Sequence, residues 1–391
     1  MEQKYQRLLD VVKLSLWGGT EATADQDIFE EMRLQGISSL PGSVLDQLSL
    51  TQELFDKWKS SIVKTVFRYY NYKHIESKLP LTVPYVILKG TSASQYYPHP
   101  ELRSLGDIDI MTRHEDYNAA CEMMVLGGYK EVTSESERRR GRHRSFARRD
   151  ILVEVHSFFA SVTDIEKARY LDELIIQNIS TSHVLPDKVN GLVLLEHISQ
   201  HFRNGLGLRQ IIDWMMFVDK CLSDEEWSNF LKMAQKIGLE KLAIAATRMC
   251  ELYIGLPERK WTAGVDDQLC DSLLQYVLSS GNFGNKWTDT KSAAISAFSA
   301  IKNPKDLFQS LQKVGIENWK AARKHKILRP FAWIYQAGRF TAKGLRRQDA
   351  GRNLKEEYKI SRQRLAMFKD LGLDVSSGKL VTYKNGEYIV E

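Results

Sequence analysis

The feature that most constrains this chain is the stretch from Val83 to Thr112, VPYVILKGTSASQYYPHPELRSLGDIDIMT. Its first apolar run, Tyr85 to Leu88, reads as a buried strand that ends on Lys89-Gly90-Thr91-Ser92, a tight turn opening a short helix. After an aromatic and proline loop, a second strand carries Asp107 and Asp109 with one residue between them. Side chains alternate along a strand that rises about 3.3 Å per residue, so the two carboxylates share a face. Ile108 and Ile110 take the other face, toward a core. Two carboxylates converging from one strand suit a pair of magnesium ions, which bind carboxylate and phosphate oxygens. Gly90 lets the backbone approach a ligand closely, Thr91 and Ser92 bring hydroxyls, and amides at a helix start favour phosphate. On its own an Asp-x-Asp pair is more often a solvated strand end than a metal site. The glycine turn before it and a third carboxylate after it shift the balance.

With 391 residues, the chain is long enough for more than one domain or lobe. Its net charge of +6 fits an anionic substrate but is too small to argue for nucleic acid. Cys121, Cys221, Cys250 and Cys270 lie far apart, without metal-ligand or redox spacing. They read as reduced core thiols, which leads to the expectation of a cytoplasmic protein. The N-terminal segment MEQKYQRLLDVVKLSLWGG is amphipathic and charged throughout, unlike a secretory signal. No apolar run reaches the roughly 18 residues of a membrane span, so no membrane partner is expected.

Along the chain, four regions are expected. Residues 1–80 read as an N-terminal helical region. Leu8, Leu9, Val12 and Leu16 form one apolar stripe, and Phe55, Trp58, Ile62, Val66 and Tyr69 another, within a helix from Thr51 to Ser77. Residues 81–186 form the core that holds the two strands. A helix over Glu115–Leu126 closes on Gly127-Gly128, and the arginine-rich run Arg138–Arg149 reads as a hairpin arm or mobile loop. Next, Ile151–Phe159 reads as a strand with Glu154 and His156 on one face. A helix over Asp164–Gln177 and a short strand around Ser182–Leu185 finish this region. Residues 187–345 read as a helical lobe, and 346–391 as a helix and a hairpin turning at Asn385-Gly386. The fold class expected is α+β: a small mixed sheet flanked by N-terminal helices and a C-terminal helical lobe.

The combined pattern is Leu88-Lys89-Gly90, Ala93, Tyr97-Pro98, Arg103, Asp107-Ile108-Asp109 and Glu154-Val155-His156, with Leu208-Arg209 and Asp213 further on. It resembles an uncharacterised bacterial nucleotidyltransferase family within the DNA polymerase β-type nucleotidyltransferase superfamily. The likeness covers about Leu54 to Val218. The wider superfamily favours Gly-Ser or Gly-Gly-Ser at the turn where this chain has Gly-Thr-Ser.

The resemblance implies a magnesium-dependent transferase of the nucleotide-binding kind, moving a nucleoside monophosphate from NTP (ATP is the expected nucleotide) to an acceptor hydroxyl and releasing pyrophosphate. Asp107, Asp109 and Glu154 would be the metal-binding and catalytic carboxylates for two Mg2+ ions, with Mn2+ as the substitute. Lys89, Gly90, Thr91, Ser92, Arg103 and Arg209 would bind the nucleotide. His156 and Arg144 would lie on the acceptor side. The acceptor is open: a small molecule, a saccharide, a peptide or a protein. Two other readings stand beside this one, a catalytically silent nucleotide-binding protein and a nucleic-acid-modifying enzyme using the arginine arm. Charge runs are more often solvated faces, and only Phe146 interleaves the arginines, so stacking on single-stranded bases finds little support. Arg209 and Asp213 have the i,i+4 spacing of a helical ion pair, partly buried and facing the cleft. His197 and His201 share that spacing, but without a placed third ligand they argue for zinc only weakly.

Overall fold

The protein is described by a computed structural model covering residues 2–19, 21–180, 182–202, 205–286, 304–339, 354–373, 380–384 and 386–390. These fall into two compact units. The first holds the described residues up to Lys286, Leu371–Leu373 and those from 380 onward; the second holds the rest.

In the first unit, α1 (Gln3–Trp17) buries Leu8, Leu9, Val12 and Leu16, the stripe read from the sequence. Two short strands, β1 (Ala22–Thr23) and β2 (Leu48–Ser49), pair in parallel on either side of α2 (Gln26–Leu34). The long helix α3 (Gln52–Glu76) begins where the Thr51 side chain accepts from the Leu54 amide and ends at Ser77, within a residue of the expected bounds. Trp58 on this helix is fully buried, and its indole donates to the Ser38 carbonyl at 2.6 Å.

The centre of the unit is a five-stranded mixed sheet. β3 (Tyr85–Leu88) pairs antiparallel with β4 (Ile108–Thr112), and the turn between them opens α4 (Gly90–Ser94). α5 (Tyr117–Leu126), the two-residue β5 (Lys130–Glu131) and α6 (Glu135–Arg140) follow. β6 (His143–Arg148) and β7 (Ile151–His156) form the hairpin, and β7 lies parallel to β4. The strand order is β3-β4-β7-β6-β5. The mixed helix and sheet architecture agrees with the α+β class expected. One face of the sheet packs Ile108, Ile110, Phe146, Val153 and Val155 against Tyr72 of α3 and Ala120 and Met124 of α5. Each such side chain taken out of water stabilises the fold by about 1.5–3 kcal/mol, and this fixes the register that sends Asp109 and Glu154 to the other face.

Two expectations are corrected here. The arginine-rich run is in part the hairpin expected, β6 with β7, but it is no loop: α6 carries its first part on a Ser134–Glu137 capping box, and β6 runs between β7 and β5. The segment Ser182–Leu185 forms no strand; His183 instead accepts from the Ile87 amide at 2.9 Å and stacks on Tyr85.

After α7 (Ile165–Gln177) comes an all-helical stretch: α8 (Asp187–His201), α9 (Leu208–Cys221), α10 (Asp224–Ile237), α11 (Glu240–Ile254) and α12 (Asp267–Ser280). The N-terminal helices are tied to it. Gln35 accepts from the Leu208 amide at 2.9 Å, and the Trp17 indole donates to the Ile254 carbonyl at 2.8 Å. The C-terminal hairpin, β8 (Val381–Lys384) and β9 (Glu387–Val390), forms as expected on both sides of its turn; Asn385 lies outside the described residues. It docks on α7, where Tyr388 donates to buried Asp172 at 2.8 Å, and on the connection between β4 and α5, where Tyr383 stacks on His114. The described part of the second unit is helical, with helices over Pro304–Asn318 and Leu354–Asp370. Among the described residues, no helix is long and apolar enough to cross a membrane.

Candidate active site

Register alone brings the carboxylates together. Asp109 on β4 is the parallel partner of Glu154 on β7, and His143 on β6 is the antiparallel partner of His156. All four point to the face of the sheet away from the apolar core. Asp109, Glu154 and His156 offer ligand atoms that lie within 4.8 Å of one another. His156 Nε2 is 2.8 Å from Asp109 Oδ1 and 3.4 Å from Glu154 Oε2. Asp107 stands just before β4, less buried than Asp109, which is only 2 % exposed.

Lys89 closes the group from the β3 side. Its Nζ lies 2.8 Å from Asp109 Oδ1 and over the Phe159 ring. The backbone of Lys89 sits at φ 51°, ψ −146° and that of Gly90 at φ 43°. A left-handed φ is unfavourable for a side chain with Cβ and natural for glycine. The turn thus holds Lys89 in a strained conformation whose product is an ammonium aimed at the carboxylates.

These charges act on one another at close range. Burial opposes charge on Lys89, yet Asp109, Asp107 and Glu154 hold its ammonium above the usual range. Burial likewise works against ionised Asp109, but Lys89 and His156 hold its carboxyl well below the usual carboxylate range. The charge of Asp109, with burial, pushes Asp107 up to about 6. His156 is raised, against burial, by its hydrogen bonds to Asp109 and Glu154, and His143 is lowered by burial and by His156.

On the other side of the turn, Arg103 and Asp213 form a buried two-pronged pair. Arg103 Nε donates to Oδ1 at 3.0 Å and Nη2 to Oδ2 at 2.6 Å, while the Tyr97 hydroxyl donates to Oδ1 at 2.7 Å. This corrects the helical Arg209–Asp213 pair expected from spacing: Asp213 is taken by a residue of the β3–β4 connection. Arg209 remains buried, at 8 % exposure, with its Nε unpartnered and its Nη1 only 3.5 Å from the Ser104 carbonyl. Burial and the neighbouring Arg103 charge lower its pKa. A guanidinium this enclosed, beside a carboxylate cluster and without a carboxylate of its own, is suited to an incoming anion.

The family model described as uncharacterised nucleotidyltransferase matches residues 33–255, more than half of the chain. The chain belongs to that family. The same comparisons found no match among curated proteins and none among solved structures. Membership in a nucleotidyltransferase family supports a transferase acting with NTP. A divalent ion fits the residues present, because two carboxylates and an imidazole converge from adjacent strands with donor atoms close enough to share one cation.

The other residues singled out in the sequence are engaged elsewhere. The Thr91 hydroxyl donates to buried Glu76, and the Ser92 hydroxyl donates to Asn190 at 3.0 Å. Arg144 pairs with Val155 in the ladder, so it faces away from Glu154 and lies over the Tyr117 ring. Arg142 donates to the Phe159 and Ala160 carbonyls, and Arg148 lies over Tyr129. His197 and His201 do meet, Nε2 to Nε2 at 2.9 Å, and both pKa values are lowered by burial, that of His201 to about 3. Among the described residues no third ligand stands with them. His143, Glu76 and Asn190 were not singled out from the sequence. Only the alternation of His143 with Ser145, the register partner of Glu154, offered a signal for the first; the other two depend on tertiary contacts.

Proposed function

We propose that this nucleotidyltransferase moves a nucleoside monophosphate from NTP to an acceptor hydroxyl with release of pyrophosphate. The observation that carries the reading is the convergence of Asp109, Glu154 and His156 beside Lys89, in a chain of this family. The acceptor oxygen attacks the α-phosphorus, the bond from that phosphorus to the bridging oxygen of the β-phosphate breaks, and pyrophosphate leaves. Glu154 receives the proton of the acceptor hydroxyl, and its position next to His156 keeps that carboxylate oriented. Lys89 and Arg209 neutralise the phosphates of the bound nucleotide, while Gly90, Thr91 and Ser92 border them through backbone, since both hydroxyls are turned inward. Arg103 holds Asp213, which also accepts from the Tyr97 hydroxyl, and so supports the wall on which Arg209 rests. Asp107, Asp109 and Glu154, with His156, would hold Mg2+, or Mn2+ in its place. When bound, the ion supplies charge neutralisation for the triphosphate and makes the acceptor hydroxyl more acidic.

The test is a screen of the four α-labelled NTPs against cell extract with magnesium or manganese. A labelled product formed by the wild type and lost with Asp109→Asn supports the transfer. A product that persists in chelator or in that variant refutes it.

A further inference from the structure

Phe283 is the aromatic of a Gly281-Asn282-Phe283-Gly284 turn that follows α12. Its backbone is left-handed, φ 56° and ψ 28°, a conformation that bulky residues rarely adopt. The residue is 57 % exposed. Neither burial nor backbone preference accounts for a phenylalanine here.

The turn is nonetheless firmly built. Gln210 of α9 donates to the Asn282 side chain at 2.9 Å. Gly205, at φ 103°, lies so close to Gly284 that a Cβ on it would sit 2.2 Å from the Gly284 nitrogen. What this construction presents is one ring. Phe283 meets the His201 ring edge-on at 4.8 Å, and the Arg209 guanidinium lies 5.4 Å from the Phe283 ring centroid. Arg209 also reaches the carbonyl of Ser104, on the loop that leads into Asp107. The exposed ring is thus one side chain away from the phosphate side of the site.

We propose that Phe283 is the stacking platform for the nucleobase of the bound NTP, an inference that rests on the nucleotidyl transfer proposed above. A nucleobase is a planar π-system that gains from lying on an aromatic face whatever its identity. A nucleotide whose phosphates meet Arg209 carries its base outward, toward the ring that Arg209 touches. The His197–His201 pair, joined Nε2 to Nε2, lies beside the same ring through His201. Strain kept at Phe283 is then the counterpart of the strain kept at Lys89, one serving the base and the other the phosphates.

Glycine adopts the left-handed backbone freely, so Phe283→Gly removes the ring while suiting the turn. Phe283→Leu keeps apolar bulk without a π-face, and Phe283→Trp restores one. Each variant and the wild type are titrated by calorimetry with Mg-ATP, Mg-UTP and magnesium tripolyphosphate, alongside thermal melting. The proposal expects Phe283→Gly and Phe283→Leu to melt close to wild type and to lose about tenfold or more in affinity for both nucleotides. Tripolyphosphate affinity stays within about twofold, and Phe283→Trp recovers nucleotide binding. Nucleotide and tripolyphosphate affinities that fall together overturn the platform, because Phe283 then acts only through Arg209; so do nucleotide affinities that do not change. A wild type that binds neither nucleotide nor tripolyphosphate overturns the proposed transfer itself.

Discussion

Lys89 holds Asp109 through an ammonium-to-carboxylate contact of 2.8 Å, made from a backbone at φ 51°. The pair is nearly enclosed, Asp109 being 2 % exposed, and the same carboxylate oxygen also meets His156 at 2.8 Å. A buried carboxylate cluster that carries its own cation does not depend on a metal ion to fold. Removing one partner of a buried pair costs about 3–5 kcal/mol because the other charge is left without compensation.

Lys89→Met is therefore expected to melt well below the wild type in chelator and to recover part of the loss when Mn2+ or Mg2+ is added. The wild type, which keeps its own cation at these carboxylates, should gain less from the ion than the variant does. Thermal melting of both proteins in chelator and in millimolar divalent ion checks this. Equal melting of the variant in the two conditions would mean that no cation can replace Lys89 at these carboxylates.

Asp107 sets a pH dependence of definite sign. Its folded-state value of about 6 lies above the ordinary carboxylate value of about 4, so the folded chain binds this proton more tightly than the unfolded chain. That contribution to stability is present at low pH and is lost as pH rises from about 4 to about 6. A divalent ion competes with the same proton, and with the proton on His156, whose pKa is raised. The stabilisation produced by adding Mn2+ should consequently grow between pH 5 and 7.5, and Asp107→Asn should flatten that growth. Melting curves at four pH values, with and without the ion, measure it. A metal increment independent of pH in the wild type would count against Asp107 and His156 as ion partners.

Two arginines near the turn should respond in opposite ways. Arg103→Leu leaves Asp213, 1 % exposed, with only the Tyr97 hydroxyl, and should cost about 3–5 kcal/mol of stability. Arg209→Leu removes a buried charge that has no carboxylate of its own, so stability should change little or rise. If Arg209 receives the phosphates, losing its charge-assisted hydrogen bonds should weaken Mg-NTP binding by about tenfold to a hundredfold. Denaturant unfolding and nucleotide titration on both variants decide the matter. Should Arg209→Leu unfold the chain while Arg103→Leu leaves it stable, the division of roles drawn here is reversed.

The Arg103–Asp213 pair also marks how far the sequence could be read. Local periodicity was enough for α3, whose bounds follow from an apolar stripe and a threonine cap, and for β4, where alternation separates Ile108 and Ile110 from Asp109. It was enough to put Glu154 and His156 on one face. Periodicity says which residues are neighbours along an element, however, and not which distant residue competes for a partner. Asp213 is one helical turn from Arg209 but pairs with Arg103, whose planar fork meets both oxygens. The same gap explains the arginine run, where high charge density suggested a solvated arm. Arg142 and Arg144 instead settle on backbone carbonyls and an aromatic face, which lets the segment serve as a sheet strand, while Arg148, over Tyr129, stays exposed. Phe283 carried only the faint signal of an aromatic set between turn residues.

Glu154 separates a transferase from a protein that only binds nucleotide. It comes from β7, whereas the aspartates come from β4 and its approach, so removing its charge leaves Asp107, Asp109 and Lys89 in place. Glu154→Gln preserves shape and the capacity to hydrogen-bond with His156, and it removes the group that takes the acceptor's proton. Binding of Mg-NTP should stay within severalfold of wild type, while single-turnover transfer falls by about a hundredfold or more. Calorimetry and rapid-quench transfer on one preparation supply both numbers. Transfer at the wild-type rate would remove Glu154 from the chemistry. A parallel loss of binding and rate would instead make it a nucleotide ligand, and the proton would have to leave by way of His156 or His143, the remaining bases on that face of the sheet.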